Sequence, residues 1–136
     1  MIYFQSNDSR LVVFACDFFK MKPTLLPNGP VDAAYDRGAF EAIFESDRKA
    51  YIQSMLSFMQ PDFRYIVNCF EYDEAEEFKG PPRKCMRDQV CKLFDGHAIQ
   101  DKVTKTEILS IDDYTEYGVK WNLKWMTKIV YGIKPE

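Results

Sequence analysis

Val31-Asp32-Ala33-Ala34-Tyr35-Asp36-Arg37-Gly38-Ala39-Phe40 is the stretch on which the fold turns. Val31 to Asp36 reads as a short strand that ends in an Asp-Arg-Gly turn, and Ala39 to Phe44 reads as a short helix. Upstream, Lys22 to Pro30 holds three prolines, an asparagine and a glycine, the composition of a loop. Leu11 to Phe19 is β-rich, and Leu11 to Ala15 is continuously apolar, as in a strand covered on both faces. Ser6-Asn7-Asp8-Ser9 joins it to Ile2–Gln5 with residues suited to a hairpin turn.

Downstream, Ser46 suits an N-cap and Asp47 the positive end of a helix dipole. Tyr51, Met55 and Phe58, flanked by Ile52, Leu56 and Met59, give that helix one apolar face, and Gln60-Pro61-Asp62 stops it. Phe63 to Tyr72 is the strongest strand pattern of the chain. An acidic loop holding Glu74, Glu76 and Glu77 runs to Gly80-Pro81-Pro82, and Met86 to Phe94 is a helix closed by Asp95-Gly96. Val103 to Ile111 reads as a strand, though its start is too polar for a central one, and Asp112 to Gly118 as a loop. Gly118 to Ile133 alternates through Val119, Trp121, Leu123 and Trp125, the period of a long antiparallel strand or hairpin arm. Strands alternating with helices, then two closing strands, make a three-layer α/β unit.

A length of 136 residues suits one domain. With 46% hydrophobic and 15% aromatic residues the chain can bury a core. A net charge of −3 offers no positive field for nucleic acid or anionic membranes, and the small basic group Arg83, Lys84 and Arg87 has no interleaved aromatics. No run nears the ~18 apolar residues of a membrane span, and Met1 to Ser6 is not a signal peptide. Tyr3-Phe4-Gln5-Ser6 reads either as a native strand entering a turn or as the remnant of a cleaved tag. Cys16, Cys69, Cys85 and Cys91 form no Cys-x-x-Cys pair and His97 is the single histidine, so no metal site is expected; the bland reading is reduced thiols in a cytoplasmic protein.

Ligands of open α/β sheets sit at the carboxyl ends of the strands. Here those tips are Asp17-Phe18, Asp36-Arg37 and Glu71-Tyr72-Asp73. Ala15-Cys16-Asp17-Phe18-Phe19, the Val31–Phe40 stretch, Phe70-Glu71-Tyr72-Asp73 and Gly80-Pro81-Pro82 occur in order, followed by Lys92-Leu93-Phe94 and Tyr117-Gly118. Together they resemble the thiopurine S-methyltransferase family of class I S-adenosylmethionine-dependent methyltransferases, including bacterial members that methylate sulfur, selenium or tellurium compounds.

The resemblance implies a Rossmann-like methyltransferase sandwich whose last strand is antiparallel. It covers only the later part of the family's domain: residues 1–136 form a single partial domain without the first two strands and the glycine-rich turn. A fragment is therefore expected. In the family's sheet order the strand ending at Asp17 keeps only its hairpin partner, and Val31–Tyr35 presents an unpaired edge.

By the same resemblance, S-adenosylmethionine is the cofactor. Asp17 would accept a hydrogen bond from the adenine amino group, Phe18 would pack beside the ring, and Arg37 would lie near both cofactor and acceptor. The bland alternatives are that Asp17 caps a loop, Phe18 belongs to the core, and Arg37 pairs with Asp32 or Asp36. Tyr72, Pro81 and Pro82 bracket the loop expected over the acceptor, and a complete family domain is expected to be a monomer.

Two departures stand out. Arg83-Lys84-Cys85 follows Gly80-Pro81-Pro82 where the family has an aromatic residue. Asp113 falls where vertebrate members carry a second arginine. The implied function is S-methylation of a thiopurine or related thiol or chalcogen acceptor. The competing reading is a non-catalytic remnant or interaction module of the same fold, and the chain alone is expected to be inactive.

Overall fold

The computed structural model describes residues 1–73, 77–99 and 102–136. Its centre is a parallel pair, β3 (Val31–Asp36) and β4 (Met59–Tyr72), joined by a crossover containing helix α1 (Arg48–Ser57). After β4 come α2 (Arg87–Phe94), the two-residue β5 (Ala98–Ile99), β6 (Lys102–Asp113), the short α3 (Thr115–Gly118) and β7 (Met126–Pro135). These strands form one sheet in the order β3-β4-β7-β6-β5, with β7 antiparallel to both β4 and β6. β1 (Ile2–Gln5) and β2 (Val12–Ala15) make a separate antiparallel hairpin.

The core follows from the period of two. Phe63, Tyr65, Val67 and Cys69 on β4, with Ile129, Tyr131 and Ile133 on β7, turn one sheet face inward. Tyr51, Ile52 and Leu56 of α1 and Val90 and Phe94 of α2 cover that face. Tyr35, 66% exposed, alternates to the opposite side, as does Ile66 across the ladder from it.

Several sequence expectations need correction. β2 is not covered on both faces: Leu11 and Val13 are exposed, and among the described residues β2 pairs with β1 alone, in a hairpin separate from the five-stranded sheet. Its isolation, and the free outer edge of β3, match the half-sheet that the resemblance implied. β4 starts at Met59, before the expected stop at Gln60-Pro61-Asp62. The ladder with β3 slips between Val31↔Met59 and Ala33↔Arg64, so Pro61 lies in an irregularity where no ladder N–H is missed. β6 runs on through Asp113, paired with Thr127, and the remaining "loop" contains α3.

The alternation from Val119 to Trp125 is not a strand. Val119–Trp121 is a 3₁₀ turn, and Asn122 follows it at φ 61°, in the left-handed region. Glu74 and Glu76 of the acidic loop lie outside the described residues. No helix among the described residues is long and apolar enough to cross a membrane.

Candidate functional site

Asp36 ends β3 facing the core and is 4% exposed. Its Oδ1 accepts from the backbone N–H groups of Ala39 (3.2 Å) and Phe40 (3.0 Å), and its Oδ2 accepts from the hydroxyls of Tyr51 (2.6 Å) and Tyr65 (2.8 Å). Four donors fill the carboxylate, so it holds the turn and does not neutralise the next residue. Arg37 is exposed and makes no ion pair with Asp32 or Asp36, the bland role considered for it. Gly38, at φ 95°, takes the chain away in a conformation open to glycine.

Arg37 reaches the rim of a cavity of about 230 Å³ at the carboxyl ends of β3 and β4. Glu41, from the turn after Gly38, and Asn68 and Phe70, from β4, also line it, with Pro82, Tyr114, Tyr117 and Lys128. The Phe70 and Tyr114 rings meet edge to face at 5.7 Å, and the Lys128 ammonium lies 5.5 Å from the centre of the Tyr114 ring. Three aromatic rings and Pro82 share the lining with four charged or amide side chains, a mixed surface able to pack a flat ring and to bind polar groups on it. Lys128, from β7, brings to this cavity a second cation that Asp113 does not supply; Asp113 accepts the Thr115 N–H instead.

The cavity unites Arg37 and Pro82 among the residues singled out from sequence. Tyr72 is buried, and its hydroxyl donates to the Pro82 carbonyl (2.9 Å), so it braces the loop from beneath. Pro81 is exposed outside the lining. Gly80 sets up this turn at φ 88°, and a Cβ there would meet Arg83 and Pro82 backbone at 2.8 Å.

Asp17 caps the turn Phe18–Lys20 by accepting from the Phe19 N–H (3.1 Å), and its other oxygen sits 3.7 Å from the exposed Lys20 ammonium. Phe18 packs on Tyr51 at 4.9 Å and Phe58 at 5.9 Å, part of the core margin. The fit to a cofactor is thus partial. Asp17 keeps an exposed oxygen able to accept from an amino group, whereas the Phe18 ring is committed to its own neighbours.

The basic group carries structural duties. Arg83 stacks over Phe44 at 3.8 Å and donates to the carbonyls of Ala42 and Lys79, and Arg87 pairs with Glu71 at 2.6 Å. Among the described residues no group of three metal-ligating side chains occurs.

Sequence reasoning missed Glu41, Asn68, Phe70, Tyr114, Tyr117 and Lys128. Two signals were present: Asn68 interrupts the apolar run Tyr65–Phe70, and Glu41 falls in the helical turn after Arg37-Gly38 between Phe40 and Ala42. Burial pushes the Glu41 carboxyl up to about 7, helped by the nearby Asp36 charge and opposed by Arg37 and Lys128. A raised carboxyl pKa means that the folded state holds the proton more tightly than the unfolded chain. Stability is then full below about pH 4.5 and falls as pH rises through about 7. Glu41→Gln is expected to be stabilising by ~1–2 kcal/mol at pH 8, after allowance for solvent screening of a half-buried group, and nearly neutral at pH 4.5. Urea midpoints at pH 4.5, 6 and 8 check this; a gap between the two proteins that does not change with pH would contradict it.

A parallel pair continued by one antiparallel strand, β7, and then by β6 in the original direction, with a pocket at the carboxyl ends, is the later half of a Rossmann-like methyltransferase sheet. A methyltransferase from Burkholderia thailandensis, solved with 1,6-didemethyltoxoflavin and S-adenosylhomocysteine, shares this fold at a TM-score of 0.53 and 14% identity, over 90% of this chain and 50% of that one. The family model for thiopurine S-methyltransferase matches residues 2–134, and the chain belongs to that family. Similar curated proteins include the thiopurine S-methyltransferase of Bos taurus, 36% identical over 129 residues, and the "Probable thiopurine S-methyltransferase" of Danio rerio, 30% identical over 128. Each alignment spans 94% of this chain but 49% and 52% of the relative, so the chain spans about half their length.

Proposed function

We propose that residues 1–136 form the acceptor-binding part of one methyltransferase domain that methylates the sulfur of an aromatic or heteroaromatic thiol. The observation that carries this reading is Arg37: a guanidinium without an ion pair among the described residues, poised at the rim of an aromatic cavity. The family and its fold class support S-adenosylmethionine as methyl donor and a small molecule as acceptor; the reading adds a thiol as that acceptor, a monomer and a cytoplasmic setting. When bound, the cofactor supplies a methyl group already activated by its sulfonium.

This chain's residues do the rest. Phe70, Tyr114 and Tyr117 offer rings and edges against which a flat acceptor packs. Arg37 and Lys128 favour the acceptor as thiolate, the reactive form, and Arg37 stays charged at any working pH. Asp17 would have to turn its exposed Oδ2 from the Lys20 ammonium, 3.7 Å away, to accept from the adenine amino group. The thiol proton would pass to solvent, and Arg37 and Lys128 would hold the sulfur as the thiolate that takes up the donor's methyl group.

The test is an absorbance titration of 6-mercaptopurine against pH, free and bound to this chain. Arg37→Met is expected to weaken thiolate binding about tenfold and raise the bound thiol's pKa by about one unit. Arg37→Lys should recover part of both, since charge returns without the planar fork. Unaltered binding and pKa in Arg37→Met, with a lowered melting temperature, would reduce Arg37 to a brace of its turn.

One observation favours the second reading, a non-catalytic interaction module. Phe18 is spent on the protein's own core, and Asp17 on its own cap. Calorimetry with S-adenosylhomocysteine separates the two: micromolar binding by this chain supports cofactor use here. Heat at the baseline, together with no thiol binding, supports the module.

A further inference from the structure

Among the described residues, Glu41 is the only carboxylate lining the cavity, which it shares with the Arg37 guanidinium and the Lys128 ammonium. Its Oε2 is shielded from solvent and receives no hydrogen bond. Its Oε1 lies on the side of the exposed Gly38, where an added Cβ would come within 3.9 Å. An ionised carboxylate so placed has lost the water around one oxygen and gained no donor in return, a cost that protonation removes. Burial accordingly carries the carboxyl up to about 7; Asp36 adds to the shift, and Arg37 and Lys128 oppose it. Glu41 therefore changes charge near neutral pH, and the two cations keep that change from lying higher still.

A bound anion alters this balance. An acceptor held as thiolate by Arg37 and Lys128 brings a second negative charge to the cations that favour ionised Glu41. A cavity of about 230 Å³ keeps its charges within about a Debye length of one another, ~8 Å at physiological salt. No contact with the shielded oxygen is needed, because the coupling is Coulombic and the proton reaches the carboxyl from solvent. We infer that acceptor binding is coupled to proton uptake by Glu41, so that the complex near neutral pH is a thiolate beside a carboxylic acid. The thiol S–H bond breaks with its electron pair left on sulfur and its proton given to water, and Glu41 takes a proton from water in exchange. The inference rests on the thiol-methylation reading above and adds the group that balances the thiol's ionisation. Linkage is reciprocal: ionised Glu41 disfavours the anion, so anion affinity falls as pH rises through the Glu41 titration.

The titratable and charged groups around Glu41 are Asp36 and Arg37 from the end of β3, Cys69 from β4, Cys85 beyond Pro82 and Lys128 from β7. Tyr114 and Tyr117 line the same cavity, and the Arg83 backbone N–H donates to the Glu41 carbonyl (2.8 Å). Comparison with Glu41→Gln subtracts what these groups contribute. Gln has the shape of the neutral acid, and the variant is expected to fold because it gains stability at pH 8.

The experiment is calorimetric titration of this chain and of Glu41→Gln with benzenesulfonate, an aromatic anion that has no proton to lose. Pairs of buffers with different ionisation enthalpies, at pH 5.5, 7.5 and 9, count the protons exchanged per anion bound. An anion in the cavity is expected to raise the Glu41 pKa by about one unit. At pH 7.5 the wild type should then take up about half a proton more than Glu41→Gln. At pH 5.5 and 9 the difference should fall below about 0.1, because Glu41 keeps one charge state throughout. Glu41→Gln should bind the anion about tenfold more tightly than wild type at pH 9 and within about twofold of it at pH 5.5. 6-Mercaptopurine at pH 7.5 should show the same half-proton difference, and it alone decides if benzenesulfonate is too large to enter. Equal proton counts in the two proteins at pH 7.5, with binding seen, overturn the inference while leaving thiol methylation standing. If neither probe binds and Arg37→Met changes nothing, the thiol reading fails and this inference falls with it.

Discussion

Asp36→Ala is expected to lower stability by about 3–5 kcal/mol, a large share of what a small domain possesses. The substitution removes one side chain but strands several donors. The Tyr65 hydroxyl sits on a fully buried residue, Tyr51 is nearly so, and the Phe40 N–H is buried as well. Each buried donor left unpaired costs ~1–3 kcal/mol, and the effects overlap because all share one carboxylate. Asp36→Asn should cost less. Its oxygen can still serve the backbone of Ala39 and Phe40, and the tyrosine hydroxyls can turn to accept from its amide nitrogen.

Urea unfolding followed by tryptophan fluorescence gives both values. A loss below about 1 kcal/mol in Asp36→Ala would mean that water or a rearranged turn replaces the carboxylate. Arg37 is held at the cavity rim by this turn, so Asp36→Asn should also weaken thiol binding by a few-fold even where it folds. That makes Asp36 a positioning residue.

Glu71→Ala is the second large effect, at about 2–3 kcal/mol. Glu71 is 5% exposed at the end of β4 and accepts three times from a single residue. The Arg87 backbone N–H donates to Oε2 at 2.7 Å, while Nε and Nη2 donate to Oε1 at 3.0 and 2.6 Å. The backbone contact satisfies the first amide of α2, and the carboxylate also lies at the positive end of that helix. Since α2 carries Val90 and Phe94 into the core, loosening its start loosens the layer over β4. Hydrogen exchange over residues 87–94 should accelerate well beyond the global change in stability. Uniform acceleration throughout the chain would show that Glu71 does not anchor α2 locally. Arg87→Ala should cost less than Glu71→Ala, because the backbone bond survives and the guanidinium is partly solvated already.

Much of the scaffold was legible because its signals are local. Val31–Asp36 matched the expected strand residue for residue, and helix α2 fell within one residue of its pattern. Asp36-Arg37-Gly38 marked a turn at a strand tip, where ligands of such sheets gather. The Val119–Trp125 alternation misled because period two in a short aromatic run has more than one solution. Here Trp121 stacks on Phe78 at 4.6 Å and Gly118 lies close beneath Leu123 and Met126. The Phe78 contact comes from a segment far along the chain, and with the close approach at Gly118 it favours a folded-over turn with Asn122 left-handed.

The same division runs through the site. Asp17 was assigned by resemblance to a cofactor, yet its geometry is that of a cap, one of the two roles open to an aspartate after a strand. Glu41 was passed over because a glutamate in a short helical turn is ordinarily solvated. Burial at a strand tip between Arg37 and Lys128 gives it a different character.

By itself, the sequence determined the strands and helices of the parallel crossover, the polar tips that end them and the family to which the chain belongs. These are properties of periodicity, turn chemistry and short motifs, each written within a dozen residues. Tertiary structure alone decided that Asp36 is saturated by four donors and that Arg37 has no ion pair among the described residues. It also decided that Lys128 on β7, far from Arg37 in the chain, supplies a second cation, and that Glu41 and Asn68 meet at one cavity. Charge, burial and hydrogen-bond satisfaction depend on what lies within a few ångströms in space, and that proximity exists only once β7 has paired antiparallel with β4.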